Sequence, residues 1–126
     1  MKEVKTEEAP AAVGPYSQAV VAGDFVFCSG QIGLNPATGT LVSGGVEAEA
    51  EQALKNLKAV LKEAGVSTKD VTMVTVYLTD IHDFSVVNTT YEKYFNETPR
   101  PARATVGVAA LPKSALVEIS CVAYKR

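Results

Sequence analysis

The sequence has no tryptophan, a single histidine and only two cysteines in 126 residues. Cys28 and Cys121 lie far apart in the chain, so no spacing typical of a zinc site exists. His82 comes just before an expected helix start, where a loop histidine is the simplest interpretation. A Ser-His-Asp triad would depend on His82, and the sequence has no nucleophile-elbow motif. We therefore expect no bound metal and no histidine-based catalysis.

The chain also lacks an excess of positive charge, because its 12 Lys and Arg residues are outnumbered by 14 Asp and Glu residues. A net charge of −2 argues against a nucleic-acid partner, which would need a basic face. No apolar run approaches the ~18 residues of a membrane span, and the first residues are too charged for a signal peptide. Two thiols in such a chain are expected to be reduced. These absences predict a cytoplasmic protein with no membrane partner, and the length of 126 residues predicts one domain, residues 1–126.

What the sequence does contain is an ordered series of strand and helix patterns. The segments SQAVVAG and FVFCSGQI are typical of strands, and Gly23-Asp24 between them indicates a hairpin turn. Between Val46 and Ala64, apolar residues recur at the spacing of an amphipathic helix, which Gly65 is expected to end. The segment VTMVTVYLT then returns to a strand pattern.

A second helix and two strands complete the predicted order. Asp83 is a candidate N-cap for this helix. Its expected apolar face comprises Phe84, Val87, Tyr91, Tyr94 and Phe95. Pro99 and Pro101 stop the helix and favour extended backbone in the strands that follow. The order β-β-α-β-α-β-β predicts an α+β fold with both helices on one face of a single sheet.

The other face of this sheet is less polar than a solvated face should be. In the last strand, the residues suited to the helix-covered face are Val117, Ile119, Cys121 and Ala123. The alternate residues form a mixed set of Leu116, Glu118, Ser120, Val122 and Tyr124. An antiparallel sheet with one wet face should alternate cleanly, and too few residues remain to build a second covering layer. We therefore predict that another copy of the chain covers this face, which makes the protein a homo-oligomer.

Each of the last two strand segments contains one charge, Arg103 in PARATVGV and Glu118 in LVEISCVAY. If the turn between them closes an antiparallel hairpin, Ala109 lies opposite Leu116 and both charges point to the open face. A desolvated guanidinium needs a carboxylate partner or an anionic ligand. The pattern leaves two alternatives open, a structural ion pair at the subunit interface and a site that binds a carboxylate.

The stretch PARATVGVAAL followed by VEI resembles the signature of the Rid (YjgF-type) family, and most closely its RidA subfamily of enamine/imine deaminases. The segments APAAVGPYSQAV, FVFCSGQIGLNPATG and DFSVVNTTYEKYF are similar to further family blocks, in the family's order. The resemblance implies a chorismate-mutase-like fold, a single layer of mixed β-sheet with two helices on one face, and a homotrimer formed through the other face. It also implies a small-molecule ligand cleft at each subunit interface. The implied reaction is the hydrolysis of 2-imino acids, such as 2-iminopropanoate and 2-iminobutanoate, to 2-oxo acids and ammonia without a cofactor.

The resemblance also implies site residues. Arg103 would bind the substrate carboxylate through a bidentate fork, and Glu118 would orient or deprotonate the attacking water or assist proton transfer at the imine nitrogen. The remaining implied substrate-binding residues are Tyr16, Ser29, Gly30, Gln31, Asn88 and Thr105. Tyr16 would close the cleft, and Ser29, Gly30 and Gln31 would bring main chain close to the ligand. Thr105 replaces a cysteine found in many RidA-type proteins and leaves its backbone N–H available to a carboxylate.

Two alternatives stay open at this stage. Asn88 lies four residues after Phe84 on an otherwise apolar helix stripe, where it is either a helix-surface amide or a cleft residue. A non-catalytic sensor that binds a 2-oxo acid would need Arg103 as much as an enzyme would. Glu118 favours hydrolysis over the sensor.

Overall fold

A computed structural model describes all 126 residues as a six-stranded mixed sheet with two α-helices. The strands are β1 Lys2–Val4, β2 Ala19–Ala22, β3 Phe25–Gln31, β4 Val71–Leu78, β5 Ala102–Gly107 and β6 Val117–Tyr124. The helices are α1 Gly45–Glu63 and α2 Phe84–Glu92, and the strand order is β1-β2-β3-β6-β4-β5. The predicted α+β class and the two helices are confirmed. No helix of the chain combines the length and apolar character needed to cross a bilayer.

The first half of the sheet follows the sequence prediction closely. Strands β2 and β3 form an antiparallel hairpin in which Ala22 pairs with Phe25, and Gly23 has the positive φ of 60° that this tight turn requires. The edge strand β1 was not predicted. It has only three residues, which is too short for a periodic pattern to show.

Helix α1 covers the core side of the sheet. Its buried stripe includes Ala50, Ala53, Leu54, Leu57, Val60 and Leu61. Gly65 follows the helix end with a φ of +83°, as expected for a residue that terminates a helix in the left-handed region. The predicted helix and its end are therefore confirmed.

Helix α2 differs from the prediction at both ends. Asp83 directly precedes the helix, as predicted, but it has the helical backbone values φ −77° and ψ −1° and makes no capping hydrogen bond, so its predicted capping role is wrong. Asp80 instead caps the 3-10 turn Ile81–Asp83 that leads into α2, because its carboxylate accepts the His82 backbone N–H at 2.9 Å. At the other end, Tyr94 and Phe95 lie beyond the helix, although Phe95 remains buried in the core.

The predicted hairpin between the last two strands is wrong. Strand β5 pairs in parallel with β4, and β6 pairs antiparallel with both β3 and β4. The connection through α2 makes β5 a parallel neighbour of β4, as in a βαβ unit. The open position between β3 and β4 is then filled by β6, which becomes a central strand paired along both edges.

This topology changes the face on which Arg103 lies. In the parallel register Arg103 pairs with Val74, which is fully buried under the helices, so Arg103 is on the helix-covered face. Glu118 pairs with Tyr77 and lies on the open face, as predicted. The predicted placement of both charges on the open face is therefore wrong for Arg103, because the pairing partner was misassigned.

The open face is apolar over much of its area. Phe25, Phe27 and Tyr124 are 43%, 45% and 42% exposed and form a contiguous aromatic cluster. Phe25 lies 5.3 Å from Tyr124 and 6.2 Å from Phe27 between ring centroids. An exposed apolar cluster of this kind is characteristic of an interaction surface.

Candidate functional site

Arg103 projects from β5 against the side of α2. Its Nη1 donates a hydrogen bond of 2.7 Å to the Asn88 side-chain oxygen. Its guanidinium carbon lies 4.7 Å from the ring centroid of Tyr91 and 5.5 Å from that of Phe84. No acidic side chain lies within ion-pair distance of Arg103. The guanidinium is thus oriented by neutral groups, and its charge is available to an anion.

The local sequence explains this arrangement. Phe84, Asn88 and Tyr91 are spaced i, i+4 and i+7, which places them on one face of α2. Thr105 is two residues beyond Arg103 on the same face of β5 and is half-buried. A cavity of about 500 Å³ opens beside Arg103, with Asn88 and Tyr91 in its wall. We call Asn88, Arg103 and Thr105 the arginine cluster.

Glu118 belongs to a second polar group on the opposite face of the sheet. Its side chain is half-buried in β6, and this burial raises the pKa of the carboxyl group above its ordinary value. Gly30, on the neighbouring strand β3, leaves the space that this carboxyl occupies. The β3–β6 register is irregular between Cys28 and Gln31, so Gly30 belongs to a bulge.

Ser29, in the same bulge, is hydrogen-bonded to the segment that contains Tyr16. The Ser29 hydroxyl donates to the Ser17 carbonyl at 2.6 Å, and the Ser29 backbone N–H donates to the Gln18 carbonyl at 2.9 Å. The Tyr16 side chain next to this anchor is 53% exposed. We call Tyr16, Ser29, Gly30 and Glu118 the glutamate cluster.

Gln31 does not join the glutamate cluster through its side chain. It pairs with the fully buried Ile119, which places it on the helix-covered face, and only 7% of Gln31 is exposed. Only its main chain, adjacent to Gly30, reaches the glutamate cluster.

Within one chain the two clusters face away from each other. Arg103 and Glu118 lie on opposite faces of the sheet, and their strands flank β4 on its two edges. One chain therefore cannot present both side chains to the same small ligand. Two copies could do so, if the arginine cluster of one copy meets the glutamate cluster of another.

Several buried polar residues that shape this region were not predicted from the sequence. The Gln18 side chain exchanges hydrogen bonds with the Thr6 backbone, at 2.7 and 3.0 Å, and donates to the Pro10 carbonyl at 2.8 Å. It thereby orders the segment before Tyr16. Asn56 is 1% exposed and donates to the Leu34 carbonyl, and Glu49 accepts the Leu116 N–H just before β6. The sequence feature that could have indicated these buried residues is a polar residue within an otherwise apolar segment.

Cavities also exist away from the two clusters. The largest cavity, about 960 Å³, lies between residues 67–72, residues 94–101 and the C-terminal end of β6. No residue of either cluster lines it. No three His, Cys, Asp or Glu side chains converge in a way that could hold a metal ion.

The fold and these clusters define a small α+β protein that has polar groups on both faces of one mixed sheet. A family model described as Endoribonuclease L-PSP matches residues 6–125. The chain belongs to this family, the Rid (YjgF-type) family, as the sequence resemblance indicated.

Curated relatives and solved structures agree with this assignment. The human 2-iminobutanoate/2-iminopropanoate deaminase is 52% identical over 97% of this chain and 88% of its own. RidA from a Psychrobacter species superposes with a TM-score of 0.94 at 47% identity, over 98% of this chain and 99% of its own. E. coli TdcF, solved with bound serine, has a TM-score of 0.93 at 40% identity over the full length of both chains. Other relatives of similar identity are named only RutC family proteins.

Proposed function

We propose that this protein hydrolyses 2-imino acids, such as 2-iminopropanoate and 2-iminobutanoate, to 2-oxo acids and ammonia. The observation that supports this most directly is the unpaired guanidinium of Arg103, oriented by Asn88 and by aromatic rings beside an open cavity. A planar, permanently charged fork of this kind matches a substrate carboxylate. The deaminase names of close relatives point to the same reaction.

Glu118 is the proposed acid–base group. Its carboxylate accepts a proton from water as the water oxygen bonds to C2 of the protonated imine, giving a tetrahedral 2-amino-2-hydroxy acid. Glu118 then gives this proton to the nitrogen, the C–N bond breaks and ammonia leaves. As it leaves, the Glu118 carboxylate takes the proton of the 2-hydroxyl group, and the C2–O bond becomes a carbonyl. Since a protonated imine is already a strong electrophile, positioning and proton transfer supply the main needs of the reaction.

We further propose that the active unit is a homotrimer whose sites form between copies. Each site would combine the arginine cluster of one copy with the glutamate cluster of the next, because one chain holds these clusters on opposite faces. The aromatic cluster of Phe25, Phe27 and Tyr124 on the open face provides apolar area for the contact. A closed ring of identical head-to-tail contacts gives every copy the same environment.

The reaction is tested by generating 2-aminoacrylate with a dehydratase and following pyruvate and ammonia release with and without this protein. Faster release supports the proposal. Binding of a 2-oxo acid without any acceleration would instead identify a sensor. The matched control is Arg103→Lys, which keeps the charge but not the fork.

The shared site is tested by complementation. Arg103→Lys and Glu118→Gln proteins, each impaired alone, are unfolded, mixed in equal amounts and refolded together. If each site takes its arginine and its glutamate from different copies, about one quarter of the sites regain both groups. If both groups come from one copy, mixing restores nothing, because no chain has both.

A further inference from the structure

We infer that Tyr91 is a positioning residue for Arg103, and that its aromatic ring rather than its hydroxyl performs this role. The inference rests on the proposed function, in which Arg103 binds the substrate carboxylate. The Tyr91 ring would hold the guanidinium in the orientation that presents its fork to the cavity.

The Tyr91 ring is itself rigidly placed. Tyr91 is 7% exposed, and its ring packs on Phe95, which is 3% exposed, with a centroid separation of 4.6 Å. The guanidinium carbon of Arg103 lies over the ring of Tyr91 at 4.7 Å, closer than the 5.5 Å to Phe84. Phe84 is 39% exposed and belongs to the first turn of α2, so it is the less constrained of the two rings.

A rigid ring beside Arg103 matters because a long arginine side chain on an edge strand has many accessible rotamers. Immobilising such a side chain at the moment of binding reduces affinity. The Asn88 hydrogen bond fixes one guanidinium nitrogen, and the Tyr91 ring restricts the plane of the group. Together they order Arg103 before the carboxylate arrives.

The hydroxyl of Tyr91 has no corresponding contact. Its oxygen is buried and has no hydrogen-bond partner within the chain. Burial raises the pKa of this hydroxyl, and the nearby Arg103 charge opposes that rise, so the hydroxyl is protonated at neutral pH. An unpaired buried hydroxyl destabilises a fold, so hydrogen bonding within the chain does not explain a tyrosine here.

The test compares Tyr91→Phe and Tyr91→Leu, with Val87→Ala as the matched control. Val87 is 2% exposed on the same helix, belongs to the core and does not line the cavity beside Arg103, so its truncation reproduces a packing loss in α2 without removing a ring from the guanidinium. We expect Tyr91→Leu to raise KM, and to weaken binding of pyruvate, by about two- to fivefold, the size of a cation–π contact at an exposed arginine. Its kcat should change far less. Tyr91→Phe, which keeps the ring, should have the wild-type KM.

A second readout does not depend on catalysis. In ¹H–¹⁵N spectra of the arginine side chains, the Arg103 Nε–H resonance should be displaced upfield by the ring current of Tyr91. The displacement should persist in Tyr91→Phe and Val87→Ala and shrink in Tyr91→Leu, where only the more distant ring of Phe84 remains over the guanidinium. If Tyr91→Leu does not fold, Tyr91→Met provides the same comparison with a larger side chain.

The outcomes separate this inference from the proposed function. An undisplaced resonance in the wild-type protein, or a Tyr91→Leu variant with unchanged KM and pyruvate binding, would overturn the positioning role. A raised KM in Tyr91→Phe would transfer the role to the hydroxyl and also overturn it. If the wild-type protein hydrolyses no imine while pyruvate binding follows the predicted order, the proposed reaction fails and the positioning role stands.

Discussion

A Cβ atom added to Gly30 would lie 2.7 Å from both Cδ and Oε2 of Glu118. Gly30 is not in the positive-φ region, so this glycine provides space for the carboxyl group rather than an unusual backbone conformation. The bulge of β3 therefore leaves room for a side chain of the central strand β6 at the point where a catalytic carboxyl group is proposed.

Gly30→Ala should therefore impair catalysis more than folding. The obstructing atoms belong to the end of a flexible side chain, so Glu118 can turn aside while the strands stay paired. We expect turnover to fall by about 10- to 100-fold if the general base is displaced. The double variant Gly30→Ala/Glu118→Gln should be no slower than Glu118→Gln alone. Fully additive losses in steady-state kinetics would show that Gly30 acts independently of Glu118.

Arg103→Lys should reduce substrate capture. Lysine keeps the positive charge but cannot form the bidentate contact, so kcat/KM should fall by about 10- to 100-fold. Assembly should be unaffected, because lysine keeps the positive charge that Arg103 would present to the neighbouring copy. Kinetics and light scattering on the same preparation make this comparison. A variant that dissociates into monomers would make Arg103 an assembly residue instead.

Glu118→Gln should retain pyruvate binding, but its kcat should fall by about 100-fold or more, because glutamine cannot accept the proton from water. Burial raises the pKa of Glu118 above its ordinary value, so the acidic limb of the kcat/KM profile should be shifted to higher pH than an unperturbed carboxyl group would give. That limb should be absent from the residual activity of the variant. An identical limb in both proteins would assign it to another group.

The same pKa shift predicts the sign of a stability change. A carboxyl group whose pKa is raised on folding binds its proton more tightly in the folded state. Its contribution to stability is complete below its unfolded pKa and is lost as the pH rises through the folded pKa. Urea denaturation of wild type and Glu118→Gln should diverge over that range, with the wild type losing more stability as pH rises. If the unfolding free energies of the two proteins changed with pH in the same way, Glu118 would not be the source of this pH dependence.

The proposed assembly gives a direct mass prediction. Light scattering at micromolar concentration should report three times the chain mass of 13.3 kDa. Phe27→Glu, which places a charge in the open-face aromatic cluster, should shift the protein toward monomers, because the charge would be desolvated at the contact. A folded, active monomer would contradict both the assembly and the shared site.

The two cysteines should be dispensable for catalysis. Cys28 and Cys121 are free, buried and directly opposite each other on β3 and β6, facing the core. Interaction with the Cys28 thiol and burial raise the pKa of Cys121, so it stays protonated and unreactive. Cys28→Ala/Cys121→Ala should cost about 1–3 kcal/mol of unfolding free energy and leave turnover intact. Complete loss of turnover in a folded protein would show that a thiol takes part.

Local features of the fold could be predicted from the sequence because neighbouring residues determine them. The α1 stripe, its end at Gly65 and the turn at Gly23 all appear as predicted. The alternation of side chains along β6 correctly assigned Ile119 to the buried face of the sheet and Glu118 to the open face. The motif resemblance identified Arg103 and Asn88, which the structure brings into hydrogen-bond contact.

Tertiary structure decided what depends on distant partners. A period of two assigns residues to two faces of a strand, but only the neighbouring strand determines which face the helices cover. Because β5 pairs in parallel with β4, Arg103 lies on the helix-covered face beside α2, and because β6 inserts beside β3, Glu118 lies on the other face. The separation of these two charges, and with it the need for a second copy to complete the proposed site, follows from strand order, which alternation within a strand does not encode.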